Sequence, residues 1–185
     1  AKIGADGTVA LESQLESILA DAFEAELIHD AVIARSAAQR LNFWAMREGT
    51  LDAMQMHGNW VMNDISFQVS DLPGAIADME AAFAAIAPGP FCVAFGHMGD
   101  GNLHINARPY DRDPSECPDE VAAIKDAVRD TVVKWRGSIS AEHGIGTDKQ
   151  QDMKRLKDPV AYEMMKAIKA ALDPHNLLNP GKVLL

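Results

Sequence analysis

The chain has 185 residues, a formal net charge of −10 and two cysteines. That length makes one domain or slightly more and buries about 70% of the unfolded surface without a disulfide framework; Cys92 in an apolar run and Cys117 in a Pro/Asp-rich loop suggest none, so a reducing, cytoplasmic setting is expected. The acidic balance argues against nucleic acid and anionic membrane surfaces, no run approaches the roughly 18 apolar residues of a membrane span, and no secretory signal is visible.

Residues 1–9 read as a turn or connector with two glycines. Over 11–26, Leu15, Ile18, Leu19, Ala22 and Phe23 recur at helical spacing. A short apolar run at 31–34 precedes a second helix over 36–48, stopped by Gly49. Residues 60–69 suit a strand, and Asp71-Leu72-Pro73 opens a helix over 71–87. Residues 91–97 and 102–108 read as the strands of a hairpin. After a polar loop at 111–118, Val121, Ile124, Val128, Val132 and Trp135 form one stripe of a helix over 118–135. Ser138-Ile139-Ser140 reads as a short strand, followed by helices over 148–156 and 159–172 and a turn-rich tail over 173–182. The middle therefore runs strand, helix, strand, hairpin strand, helix, strand. That is an α+β, ferredoxin-like pattern, an antiparallel sheet with helices on one face, plus a C-terminal helical segment. The whole of 1–185 is taken as one domain, with the nine methionines as core filler.

The chemistry is densest in His97-Met98-Gly99-Asp100-Gly101-Asn102-Leu103-His104. Asp-Gly between apolar runs is a strong hairpin cue. A two-residue turn on Asp100-Gly101 sets Gly99 opposite Asn102, Met98 opposite Leu103 and His97 opposite His104. Opposed Cβ atoms lie about 4.5–5.5 Å apart, near enough for two imidazoles to share a metal ion. Asn106 takes the same face, while Met98, Leu103 and Ile105 take the other and are candidate core. Should Glu142 meet both histidines, the set becomes His2Glu with an open position, the usual form of a catalytic zinc site, acceptable also to manganese or iron. His143 would stand beside that metal as a general base, on a turn loosened by Gly144 and Gly146. Plainer readings compete. Arg47 near a helix end can serve the helix dipole, Asn106 can bond a neighbouring loop, and His29, His57 and His175 have no partner pattern.

Five motifs in order carry a wider resemblance: Trp44-Ala45-Met46-Arg47-Glu48, Asp64-Ile65-Ser66, Gly96-His97 through Asn106, Ser140-Ala141-Glu142-His143-Gly144-Ile145-Gly146, and Leu178-Asn179-Pro180-Gly181-Lys182. Together they resemble the C-terminal domain of the FAD-linked oxidase family, which includes D-lactate, D-2-hydroxyglutarate and glycolate dehydrogenases. The resemblance runs over nearly the whole chain. It implies that His97, His104 and Glu142 bind a divalent metal and that His143 is the catalytic base. It also implies that Arg47 and Asn106 contact substrate and that the tail, through Asn179, touches the cofactor. FAD would sit mainly in a separate N-terminal domain not found in this sequence. Gly96-x-x-Gly99-x-Gly101 is no dinucleotide fingerprint, because it opens a hairpin and not a helix. The implied partners are a small 2-hydroxy acid, that flavin domain, an electron acceptor and a second copy of the chain.

The implied reaction oxidises a D-2-hydroxy acid to a 2-oxo acid by hydride transfer to FAD. The hydroxyl is about as weak an acid as water, near pKa 16, and a metal that brings bound water to about 7 would close most of the gap to histidine at about 6.5. Two departures bear on substrate. Members that handle 2-hydroxyglutarate carry Thr four residues after the arginine and Lys two before Asp-Ile-Ser, where this chain has Leu51 and Met62. A different, less acidic 2-hydroxy acid is favoured. The family's domain also begins with a strand ahead of the first helix, and little precedes that helix here. The chain by itself is expected to be inactive. The alternatives are a stand-alone metal- or small-ligand-binding module and a metal hydrolase in which Glu142 or His143 activates water.

Overall fold

The computed structural model describes residues 9–185. Most of the connector read at 1–9, and any strand ahead of the first helix, lie outside the described residues. The chain divides into two compact units, one ending at Asp52 and one over Ala53–Leu185. No described helix is long and apolar enough to cross a membrane.

The first unit contains α1 (Val9–Glu24) and α2 (Ala37–Glu48). Ser36 caps α2 by accepting the Gln39 N–H at 3.2 Å, as Ser at an N-cap should. Gly49 follows α2 but stays right-handed at φ −71°, so the chain runs straight on into α3 (Thr50–Met56), a helix the sequence reading lacks. The unit boundary falls inside α3. The predicted stripe on α1 is helical but open, with Leu15, Ile18 and Phe23 exposed, and α2 buries no residue.

The second unit is built on a three-stranded antiparallel sheet, β1 (Asp64–Ser66), β2 (Phe91–His97) and β3 (Asn102–Arg108), in the order β1-β3-β2. The strand read at 60–69 contracts to β1, with Val61 still bridging Ala107 in the same register. The short strand at 138–140 is reduced to one bridge, Ser138 to Ser66, on the outer edge of β1. That is where a ferredoxin-like sheet seats its fourth strand. The helix read over 71–87 becomes a 3-10 turn, Val69–Asp71, and α4 (Leu72–Ala84). Helix α5 (Pro118–Lys134) follows a 3-10 turn at Pro114–Glu116, and α6 (Gln150–Leu156) and α7 (Pro159–Leu172) complete the described helices.

One face of the sheet, carrying Ile65, Leu103, Ile105 and Ala107, closes against Ala75, Met79 and Phe83 of α4 and Ile124, Val128 and Val132 of α5. Each large side chain removed from water there stabilises the fold by about 1.5–3 kcal/mol. Trp135 fastens α5 to α4: its indole N–H donates to Asp78 Oδ2 at 2.6 Å, and a Cβ at Gly74 would come within 2.4 Å of its ring. With the core on one side of β3, its polar residues Asn102, His104 and Asn106 are left to the other.

The hairpin register corrects the sequence reading. His97 pairs with Asn102, Gly96 with Leu103 and Phe95 with His104, so the connection is the four residues 98–101. A type I′ turn needs positive φ at both central residues. Gly101 has it, at +79°, but Asp100 does not, and its carboxylate instead accepts the Asn102 N–H at 3.1 Å. The Phe67 N–H donates to the Gly101 carbonyl at 3.0 Å, tying the loop to the chain beyond β1. Because the shift is even, His97 and His104 keep a common face, diagonal rather than opposed. Met98 falls in the loop, 78% exposed, and is not core.

Candidate metal and acid–base site

His104 is the centre of the site. Its side chain is 12% exposed. Phe95, directly opposite, lies 5.1 Å from it between ring centroids, and His143 stacks at 5.4 Å with the planes 24° apart. The Glu142 carboxylate faces two imidazoles: Oε1 is 3.3 Å from His97 Nδ1, and Oε2 is 3.8 Å from His104 Nε2. Donor atoms bound to one tetrahedral ion at about 2.0–2.2 Å stand roughly 3.4 Å apart. Each imidazole thus has one Glu142 oxygen within 4 Å, through different oxygens of the carboxylate, and two nitrogens with a carboxylate are a donor set that a small divalent ion accepts. His97 and Glu142 are about half exposed, which leaves further positions accessible.

A second group also converges on His104. Ligand atoms of Asp64, His104 and His143 lie within 4.8 Å of one another. Most of the Asp64 carboxylate is engaged, its Oδ1 also accepting the Glu142 N–H at 3.2 Å. Its Oδ2 accepts the N–H groups of Ala141, Glu142 and His143 at 3.0, 3.2 and 3.0 Å and the Ser140 hydroxyl at 3.1 Å. Lys149 Nζ is 3.6 Å from the same oxygen. Burial by itself would raise this carboxyl; the bonds from His143, Glu142 and Ser140 and the Lys149 charge reverse that and hold it at about 2. Lys149 is in turn lowered by burial, an effect the Asp64 charge opposes. Asp64 thus shapes the segment that carries Glu142 and His143. In the sequence Asp64 stands in the Asp64-Ile65-Ser66 motif with no chemical role of its own. The available signal was a carboxylate inside an apolar strand, which needs partners to be buried.

A cavity of about 380 Å³ adjoins the imidazoles, lined by His104, Asn106, His143, Met62, Lys182 and residues 144–149. Asn106 is 1% exposed; its Oδ1 accepts the Asn63 N–H at 3.1 Å and its amide nitrogen lies 3.8 Å from Met54 Sδ. Asn102, opposite His97, has both side-chain amide atoms buried with no partner among the described residues. Lys182 reaches the cavity because the tail is tied down. Lys169 and the N–H groups of Leu178 and Leu177 hold Asp173 at about 2, and Gln150 Nε2 donates to the carbonyls of Gly181 and Leu184. Asn179 lies in that tail, exposed, at φ +47°. Arg47 lies in the first unit, half-buried in the last turn of α2. His29, His57 and His175 are exposed.

The second unit is thus an α+β module, with a core on one face of its sheet and imidazoles and carboxylates beside a small cavity on the other. The model of the family described as FAD linked oxidases, C-terminal domain, matches residues 2–183, and the chain belongs to that family. It is 38% identical over 155 residues to a D-2-hydroxyglutarate dehydrogenase of Stutzerimonas stutzeri (strain A1501), covering 83% of this chain and 33% of that one. It is 36% identical over 182 residues to the mitochondrial D-2-hydroxyglutarate dehydrogenase of Arabidopsis thaliana, covering 98% and 31%. The mitochondrial enzyme of that name from Danio rerio is 35% identical over 173 residues, covering 94% and 31%. The chain spans about a third of the length of these curated relatives.

Proposed function

We propose that the chain is the metal- and substrate-binding portion of a flavin-dependent dehydrogenase that oxidises a D-2-hydroxy acid to the 2-oxo acid. The observation that carries this reading is the Glu142 carboxylate facing both His97 and His104, with His143 stacked on His104 beside the cavity. His97, His104 and Glu142 would hold a divalent ion, zinc first, with manganese or iron also suited to these donors. When bound, the ion supplies Lewis acidity that lowers the substrate hydroxyl toward the range of an imidazole, and FAD in the rest of the protein supplies the hydride acceptor. His143, at the cavity wall, takes the hydroxyl proton. Lys182 places an ammonium group at the cavity wall for the substrate carboxylate, Asn106 orders the wall, Arg47 of the first unit stays the resemblance's candidate for substrate contact, and Asn179 is the candidate contact to the flavin.

The named relatives favour 2-hydroxyglutarate as substrate, while two side chains favour a smaller charge. Met62 gives the cavity an apolar lining, and Leu51 is apolar in the first unit. A pocket built on hydrogen bonds discriminates strongly against ligands that lack them, and an apolar wall forfeits that preference. The substrate class is therefore a 2-hydroxy monocarboxylic acid. The test is rapid-mixing flavin reduction in the full-length flavoprotein with D-lactate and D-2-hydroxyglutarate. D-lactate should give the higher kcat/KM, and His143→Ala should slow flavin reduction by roughly 10²–10⁴. An undiminished rate in His143→Ala would remove the base assignment, and a preference for 2-hydroxyglutarate would remove the substrate assignment.

A further inference from the structure

A second cavity in the same unit measures about 950 Å³, against about 380 Å³ for the one beside the imidazoles, and shares only Gly144 and Ile145 with it. It opens between residues 136–145, α6 and the start of α7. Its lining is aliphatic at Ile139, Ile145, Met153 and Leu156, all partly buried, and no aromatic ring lines it among the described residues. Its rim is cationic. Arg136, Arg155 and Lys157 line it, all three exposed, and their side chains make no hydrogen bond or ion pair among the described residues. The two acids that also line it are engaged elsewhere: Glu142 faces His97 and His104, and Asp158 Oδ1 accepts the Ala161 N–H at 2.9 Å. In a chain of net charge −10, three unmatched cations around one apolar cavity are a local excess of positive charge.

Arg136 is also held in an uncommon backbone state. Helix α5 closes in a Schellman turn, with the Gly137 N–H donating to the Val132 carbonyl at 2.8 Å and the Arg136 N–H to the Val133 carbonyl at 3.2 Å. Arg136 takes the left-handed position of that turn, at φ +53°, where glycine is the usual residue. The three cations stand at or just past the C-terminal ends of α5 and α6, where positive charge complements the helix dipole. The dipole explains a charge at each helix end. It does not explain an aliphatic cavity left open beside them.

We propose that this cavity is a second ligand site, separate from the substrate cavity, for a small aliphatic anion. The hydrocarbon chain would lie on Ile139, Ile145, Met153 and Leu156, and the head would be a phosphate monoester held by Arg136, Arg155 and Lys157. A phosphate monoester carries nearly two negative charges at neutral pH, and guanidinium groups bind its oxygens in pairs. The volume suits a ligand of this size, and the absence of a ring to stack on favours an alkyl body over a planar one. Nothing in the site depends on the metal or on the flavin.

The experiment is calorimetric titration of the full-length protein with inorganic phosphate, butyl phosphate, octyl phosphate as monomer and octyl glucoside. Octyl phosphate should bind saturably, one per chain, and affinity should rise about two- to fourfold for each methylene from butyl to octyl. Inorganic phosphate and the uncharged glucoside should each bind at least tenfold more weakly than octyl phosphate. Arg136→Gln with Arg155→Gln should weaken octyl phosphate at least tenfold, and Lys154→Gln, whose side chain does not line the cavity, less than twofold. Should the double variant not fold, the wild-type series decides together with Lys157→Gln, expected to weaken binding about threefold. No saturable binding of octyl phosphate overturns the proposal. So does octyl glucoside or inorganic phosphate binding as tightly, or a double variant that folds and binds like wild type. Binding to phosphatidic acid vesicles with none to monomeric octyl phosphate would also overturn it, in favour of a membrane surface.

Discussion

Two loops frame the site, one joining the strands that carry His97 and His104 and one carrying Glu142 and His143, and they are held in opposite ways. The hairpin connection at 98–101 is organised largely from within: the Asp100 side chain accepts the Asn102 N–H, Gly101 takes the positive φ, and Met98 stands in solvent. The segment 140–143 has local bonds from Ser140 to Ser138 and Gly144, but its consecutive N–H groups are gathered from outside, by one buried carboxylate 76 to 79 residues earlier in the chain. A loop that solves its own geometry can be read from its residues. A loop whose geometry is imposed by a distant strand cannot.

Substitutions at each loop can break that contrast or sharpen it. The largest effect should come where the self-organised loop touches the rest of the unit. A Cβ at Gly101 would lie 1.9 Å from the Phe67 carbonyl oxygen, on a backbone already at positive φ, so Gly101→Ala should destabilise by about 4 kcal/mol in denaturant melts. Next comes the acid limb of stability. The Asp64 carboxyl lies at about 2 in the folded protein against an ordinary 3.8, a depressed value. Its contribution is therefore complete above about pH 4 and is lost as pH falls toward 2, by about 2 kcal/mol. Asp173 titrates in the same window, so the informative quantity is the difference between wild type and Asp64→Asn, in which that part of the acid limb should vanish. Ser140→Ala removes one of the donors to Asp64 and should cost about 1 kcal/mol, visible as a small drop in Tm. Smallest is Gly99→Ala: nothing lies within 4 Å of its added Cβ, and stability should stay within about 0.5 kcal/mol.

The same division explains what could be read from the chain. Helices α2, α5 and α7 were legible because capping residues and apolar spacing are local. The common face of His97 and His104 was legible because strand alternation is local, and it survived an even register error. The register itself was not, because Asp100 chose a side-chain bond over the positive φ that Asp-Gly often adopts. Helix α3 was hidden by Gly49, which reads as a stop and here continues right-handed. The open apolar stripe of α1 shows the limit of periodicity: it specified a helix and not what covers it. Asp64 was the largest gap, since its partners sit far along the sequence and only folding brings them to it.

The central claim is that the metal lies between Glu142 and the two histidines of the hairpin and not between Asp64 and His143. Metal content of the full-length protein, compared across Glu142→Ala and His143→Ala, tests this directly. The account predicts about one divalent ion per chain in the wild type and in His143→Ala, and its loss in Glu142→Ala. Metal kept in Glu142→Ala and lost in His143→Ala would contradict it.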